Sequence, residues 1–109
     1  LEMVISRFEV HFVNLDPTKG SEINKGRPCV IVSPNEMNKY LRTVVVAPMT
    51  STLKGYASRV ECKFKGKKGE IALDQIRTVD RERLTNTLGS INEDTANEVI
   101  NRLQEIFSW

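Results

Sequence analysis

From residue 5 to residue 15 the chain alternates, with Phe8, Val10 and Phe12 on one side and Glu9 and His11 on the other. A period of two over that length predicts a half-buried strand, ended by Asp16-Pro17. His11 is expected to be a partly exposed strand residue without a catalytic part. Residues 28–33 form a nearly continuous apolar run, read as a second strand with Pro28 at its first position, where a missing N–H is tolerated. Pro34-Asn35-Glu36-Met37-Asn38-Lys39 predicts a short helical turn, with proline early and good helix formers behind it. A third strand is expected from about Arg42 to Thr50, its Val44-Val45-Val46 centre buried on both faces.

Ser51 to Tyr56 reads as a loop, and residues 58–65 as a fourth strand running into a hairpin turn at Gly66-Lys67-Lys68-Gly69. A fifth strand is expected from Glu70 to Val79, followed by a helical turn at Asp80-Arg81-Glu82-Arg83 and a short extended piece from Leu84 to Ile91. The end of the chain predicts an amphipathic helix. Asn92 suits its N-cap, Glu93 and Asp94 suit the positive start, and Ala96, Val99, Ile100, Leu103, Ile106 and Phe107 make one apolar face. Trp109 is expected to cover an apolar edge or an interface. With no repeat and no linker, residues 1–109 are expected to form one domain, mainly β with some α: a small, twisted, mostly antiparallel barrel-like sheet closed by a C-terminal helix. Leu1-Glu2 ahead of Met3 reads as a cloning remnant, so native numbering is expected to start at Met3.

Composition narrows the class. Hydrophobic content of 39% and charged content of 28% are those of an ordinary globular protein. The longest apolar stretch, Val44 to Met49, is interrupted by Pro48 and is far too short to span a membrane. No secretory pattern opens the chain. A net charge of +2 does not by itself imply nucleic acid, although Lys19, Lys25 and Arg27 cluster early and Lys63, Lys65, Lys67 and Lys68 cluster centrally. The second cluster also fits lysines guarding a strand edge. Cys29 and Cys62 lie in separate strands and His11 is the sole histidine, so neither a zinc site nor any other metal or cofactor is expected. Two scattered cysteines read as reduced thiols of a cytoplasmic protein.

The candidate chemistry lies between the first strands. Asp16-Pro17-Thr18-Lys19-Gly20-Ser21-Glu22 passes from a strand into a polar loop, and Arg27 opens the next strand. Such a loop can hold a carboxylate and a guanidinium together at a sheet edge. Met49-Thr50-Ser51-Thr52 ends another apolar run in hydroxyls. A guanidinium with hydroxyl donors suits work on a phosphate. Alternatively, Arg27 is a solvated edge residue and residues 50–52 are turn hydroxyls satisfying local backbone.

These residues also carry a resemblance. Leu15-Asp16-Pro17-Thr18-Lys19-Gly20-Ser21-Glu22, then Gly26-Arg27-Pro28-Cys29-Val30-Ile31-Val32, resembles the opening of the MazF/PemK/Kid toxin family of endoribonucleases. Ala47-Pro48-Met49-Thr50-Ser51 is similar to that family's third-strand end, and Asp74-Gln75-Ile76-Arg77-Thr78-Val79-Asp80 with Arg83-Leu84 to its late strand and turn. The likeness spans nearly the whole chain, in order. It implies an SH3-like antiparallel barrel of about five to seven strands with a C-terminal helix, assembled as a homodimer. It also implies metal-independent cleavage of single-stranded RNA at short motifs, and a cognate acidic, partly disordered antitoxin that covers the RNA groove. One branch of the family carries a histidine where this chain has Ser21 and an arginine where it has Ala72, so that branch's histidine-dependent acid–base scheme does not apply.

On this resemblance Arg27 and Thr50 are the expected catalytic pair, with Glu22 as loop carboxylate and Ser51 assisting. Metal-free cleavage uses the ribose 2′-OH as nucleophile; the enzyme must take its proton, stabilise a crowded phosphorane and protonate the departing 5′-oxygen. Arg27 suits stabilisation and Thr50 donation. Glu22 is suited to act as base, or else pairs with Lys25. Lys19, Ser21, Lys54, Tyr56, Asp74 and Gln75 are the candidate RNA-binding residues; Asp74 and Gln75 also read as a structural hydrogen-bonding pair at the dimer seam. Two other functions share the pattern: a non-enzymatic poison like the related gyrase-inhibiting toxin, and a plain SH3-like binding module.

Overall fold

The computed structural model describes residues 3–109, so the expected remnant Leu1-Glu2 lies outside the described residues. Seven strands and two helices follow in order: β1 (Glu9–Asn14), β2 (Gly26–Ile31), α1 (Asn35–Tyr40), β3 (Thr43–Thr50), β4 (Arg59–Phe64), β5 (Lys67–Ala72), β6 (Arg77–Asp80), β7 (Leu84–Ser90) and α2 (Glu93–Phe107). Two 3₁₀ turns, Leu73–Gln75 and Arg81–Arg83, flank β6.

The strands make one antiparallel sheet in the order β4-β5-β3-β2-β1-β7, with β6 also paired to β3. The long β3 forces the curl. Its first half, Thr43 to Val46, pairs with β6, while Met49 and Thr50 pair with β5. The result is the expected mainly β, barrel-like architecture with a C-terminal helix.

Both faces of the sheet centre are buried, which is why its strands read as continuous apolar runs. Val13, Leu15, Cys29, Ile31, Val44 and Val46 pack on one face. Val10, Val30, Ala47, Val60, Ile71 and Leu73 pack on the other, under Val99 of α2. Asn92 caps that helix as its pattern predicts, its side-chain oxygen accepting the Thr95 N–H at 2.8 Å.

Several expectations are corrected. His11 is completely buried, on the face of Val13 and Leu15, because β7 covers β1 there through a shifted register. Its Nε2 lies 3.0 Å from Glu9 Oε1. Pro28 is the third residue of β2, whose pairing with β1 begins at Gly26; β3 joins only from Cys29 onward. The β4–β5 turn is the pair Lys65-Gly66, with φ of 50° and 79°, and not residues 66–69. A two-residue turn with both φ positive matches the strand twist, so Lys67, Lys68 and Gly69 join β5. The expected single strand Glu70–Val79 is two strands, broken by the 3₁₀ turn so that the chain can cross from β4 to β3. Trp109 covers no apolar edge of its own chain and is fully exposed, as is most of Phe107, so of its two expected placements only an interface is left.

Candidate active site

The β2–β3 register sets the centre of the site. Ile31 lies opposite Val46 and Cys29 opposite Pro48, and the pairing stops there, so Arg27 and Thr50 lie just beyond it at two neighbouring strand ends. Arg27 Nε donates to the Asn24 carbonyl at 2.9 Å, and its Nη1 lies within 3.5 Å of the Met49 carbonyl, one residue from Thr50. A guanidinium carries five N–H donors, so most remain for a ligand. Thr50 Oγ1 accepts the Thr52 N–H at 3.2 Å, which leaves its own O–H to donate. Ser51 follows, exposed.

On the other side of β3, Glu70 pairs with Thr50. The preceding Gly69 presses on that pair, since a Cβ at Gly69 would stand 2.6 Å from the Thr50 carbonyl oxygen. Only glycine lets β5 close here, and Gly69 therefore positions Thr50. Sequence reading missed it by assigning it to a turn; its one signal was a glycine followed by strand-forming residues.

The early loop is pinned by the late block of the chain. Gln75 Nε2 donates to the Ser21 carbonyl at 3.1 Å, and the Ile23 N–H donates to Gln75 Oε1 at 2.7 Å. Arg77 Nη1 donates to the Leu15 carbonyl at 2.9 Å, and Arg83 Nη1 to the carbonyls of Asn14 and Asp16 at 3.1 and 2.6 Å. Glu22 accepts the Lys19 N–H on Oε1 at 2.5 Å, a bond within its own loop and not to Lys25; its second oxygen is left for other chemistry. Ser21, Glu22, Asp74 and Gln75 share one open hollow of about 470 Å³ with Pro48 and Arg77. Thr50 and Ser51 border a different, mainly apolar hollow of about 250 Å³ over Met49 and Phe64, edged by Lys65, Lys67 and Lys68. Lys19, Lys54 and Tyr56 lie on exposed loop surface outside both.

Asp74 is committed elsewhere. It accepts from Arg59 through both oxygens, Nε to Oδ1 at 2.6 Å and Nη2 to Oδ2 at 3.2 Å, and from the Ser58 hydroxyl at 3.1 Å. Arg59 is only 8% exposed and also donates through Nη1 to Glu70 Oε1 at 3.3 Å. Glu70, 3% exposed, accepts the Lys54 and Gly55 N–H groups at 3.0 and 2.8 Å. Burial pushes the Glu70 carboxyl up, but those two amides together with Arg59 outweigh it and hold it below the ordinary carboxylate range. Asp74 behaves alike: burial raises it, and the bonds from Arg59 and Ser58, helped by backbone, bring it down. The Asp74 bond in turn raises Arg59. Arg59 and Glu70 are further residues the sequence did not reveal, because nothing local marks a strand arginine as buried.

The two thiols are free and unsuited to nucleophilic work. Burial pushes Cys29 up to about 12 against the opposing charges of Arg27 and Arg77, and burial also raises Cys62. No helix among the described residues is long and apolar enough to cross a membrane.

Comparison with known proteins bears on the family and the fold. The chain is 28% identical over 108 residues to Endoribonuclease EndoA of Bacillus subtilis (strain 168), covering 94% of this chain and 93% of that protein. The crystal structure of MazF (Form-I) from Deinococcus radiodurans superposes with a TM-score of 0.87 at 26% identity, covering 99% of this chain and 100% of that one. A mycobacterial endoribonuclease solved in complex with its cognate antitoxin shares the fold, with a TM-score of 0.81 at 23% identity over 96% of this chain and 98% of that one. The family model of PemK-like, MazF-like toxins of type II toxin–antitoxin systems matches residues 6–107, and the chain belongs to that family.

Proposed function

We propose that this toxin is a metal-independent endoribonuclease that cuts single-stranded RNA at short sequence motifs. The observation that carries the reading is the Arg27 guanidinium 3.5 Å from the Met49 carbonyl, one residue from Thr50, with donors of both side chains not used by the fold. The family membership and the endoribonuclease relatives point the same way.

In this reaction the 2′-oxygen attacks the adjacent phosphorus, the P–O5′ bond breaks, the departing 5′-oxygen takes a proton from water, and the products carry a 2′,3′-cyclic phosphate and a 5′-OH. The Arg27 guanidinium, charged at any working pH, forks onto the non-bridging oxygens as negative charge builds on them. The Thr50 hydroxyl donates to the same phosphate, with Ser51 beside it. Glu22 takes the 2′-OH proton through the carboxylate oxygen that the Lys19 amide does not engage. Lys19 and Lys54 hold flanking phosphates, and Ser21 and Tyr56 meet bases splayed from the strand. Asp74 and Gln75, whose polar atoms are used within the chain, shape the groove rather than read it. The toxin works in the cytoplasm as a homodimer with the RNA groove at its seam, and an acidic antitoxin that folds on binding covers that groove.

The test is incubation of the pure protein with labelled single-stranded RNAs in excess chelator. Discrete fragments ending in 2′,3′-cyclic phosphate are expected. Intact RNA across a broad sequence set, with gyrase inhibited instead, would replace this reading by that of a non-enzymatic poison.

A further inference from the structure

Two loops flank the strand ends, one carrying Ser21 and Glu22 and the other carrying Lys54 and Tyr56. They belong to distant parts of the chain, yet both are tied to the 3₁₀ turn Leu73–Gln75. Gln75 takes the first loop by its backbone at Ser21 and Ile23. Asp74 takes the second through Arg59, whose guanidinium also reaches Glu70. Glu70 in turn accepts the consecutive amides of Lys54 and Gly55, closing the loop directly behind Thr50. The same guanidinium lies 5.1 Å from the centre of the Tyr56 ring, and Tyr56 stays 52% exposed. A stack of this kind fixes the ring plane while leaving aromatic surface for a base.

We propose that Arg59 is the positioning residue for sequence recognition: it holds the 51–56 loop and the Tyr56 ring at a set distance from the Ser21–Glu22 loop, and so decides which bases enter. The assignment rests on the nuclease reading above. It follows from how Arg59 uses its donors. Every nitrogen of the guanidinium meets a carboxylate and the residue is almost wholly buried, so it is not open to phosphate and its influence on RNA must pass through the groups it holds. The loop it fixes carries the candidate base-stacking ring and a candidate phosphate ligand, but not the Arg27 guanidinium. Loss of Arg59 therefore loosens recognition more than chemistry. A loop free to sample several conformations binds each sequence less well and discriminates less between them.

The experiment compares wild-type protein with Arg59→Met, Arg59→Lys and Glu70→Gln on a panel of short RNAs, in steady state, with amide hydrogen exchange read on the same proteins. The expected result for Arg59→Met is a KM raised roughly tenfold with kcat changed less than about threefold. Preference between best and poorer sequences should fall by a similar factor, and the Lys54 and Gly55 amides should exchange faster. Arg59→Lys keeps one charged contact and should recover part of the preference. Glu70→Gln, which loses charge but little shape, should give the same pattern more weakly if Arg59→Met fails to fold. Unchanged sequence preference in folded variants, or a kcat loss as large as that of Arg27→Ala with KM unchanged, would overturn the proposal. Wild-type protein that cuts no RNA would instead remove the nuclease reading on which it stands.

Discussion

Two arginines in this chain sit in opposite circumstances. Arg27 is half exposed at a strand end and spends its contacts on two backbone carbonyls, one of them at the limiting distance of 3.5 Å. Arg59 is buried and spends all three nitrogens on the carboxylates of Asp74 and Glu70. The first is aimed by backbone carbonyls and keeps donors next to open surface; the second is aimed by side-chain partners and is buried between them. Unspent hydrogen-bonding capacity next to an open surface is what a phosphate ligand requires, while a buried cation shared by two carboxylates serves geometry. The same contrast separates Thr50, whose O–H is free to donate, from Asp74, which accepts three bonds.

Removing Arg27 breaks this comparison most sharply. Arg27→Ala should lower kcat by about 10²–10³, some 3–4 kcal/mol of transition-state stabilisation. Its thermal midpoint should stay close to wild type, because no carboxylate partner is left unpaired. Fragment release and thermal unfolding, measured on one preparation, check both halves.

Gly69→Ala asks whether the reactive end of β3 is as finely placed as its register suggests. The new Cβ would stand 2.6 Å from the Thr50 carbonyl oxygen, so backbone must shift under the Thr50 hydroxyl. A displacement approaching 1 Å costs up to about 10²-fold in rate. A kcat near wild type would show that Thr50 tolerates movement. Gly66→Ala serves as the control: it lies on the same hairpin with nothing within 4 Å, and its strain at φ 79° should touch stability more than kcat.

Acid sharpens the other side. Glu70 and Asp74 titrate lower in the fold than in the unfolded chain, so the unfolded state binds more protons as pH falls. Their contribution is complete above the ordinary carboxylate pKa of about 4 and is lost as pH drops through the lower folded-state values. The thermal midpoint should therefore fall on acidification below about pH 4, and less steeply in Glu70→Gln. Equal acid slopes in the two proteins would mean that Glu70 is not held ionised by its partners.

Much of this molecule is legible in the chain because much of it is local. A period of two marks β1, apolar runs mark the doubly buried β2 and β3, and an N-cap with an apolar face marks α2. The block Gly26-Arg27-Pro28 and the hydroxyls after Met49 marked the ends of β2 and β3, two strands that pair with each other. What stayed hidden depends on partners far away in sequence. Gln75 reaches backbone 52 and 54 residues distant, and the burial of His11 follows from a strand 76 residues later. The hairpin turned one pair earlier than expected because Lys65 accepts a positive φ, which composition does not announce.

Hydrophobic periodicity, written within a few consecutive residues, was enough to determine a curled antiparallel sheet and a capped C-terminal helix, and the strand-end blocks were enough to carry the family resemblance. Only the tertiary structure decided which charges are spent and which are kept. Pairing is a matter of distance in space, and Arg59 differs from Arg27 in its neighbours rather than in its own side chain.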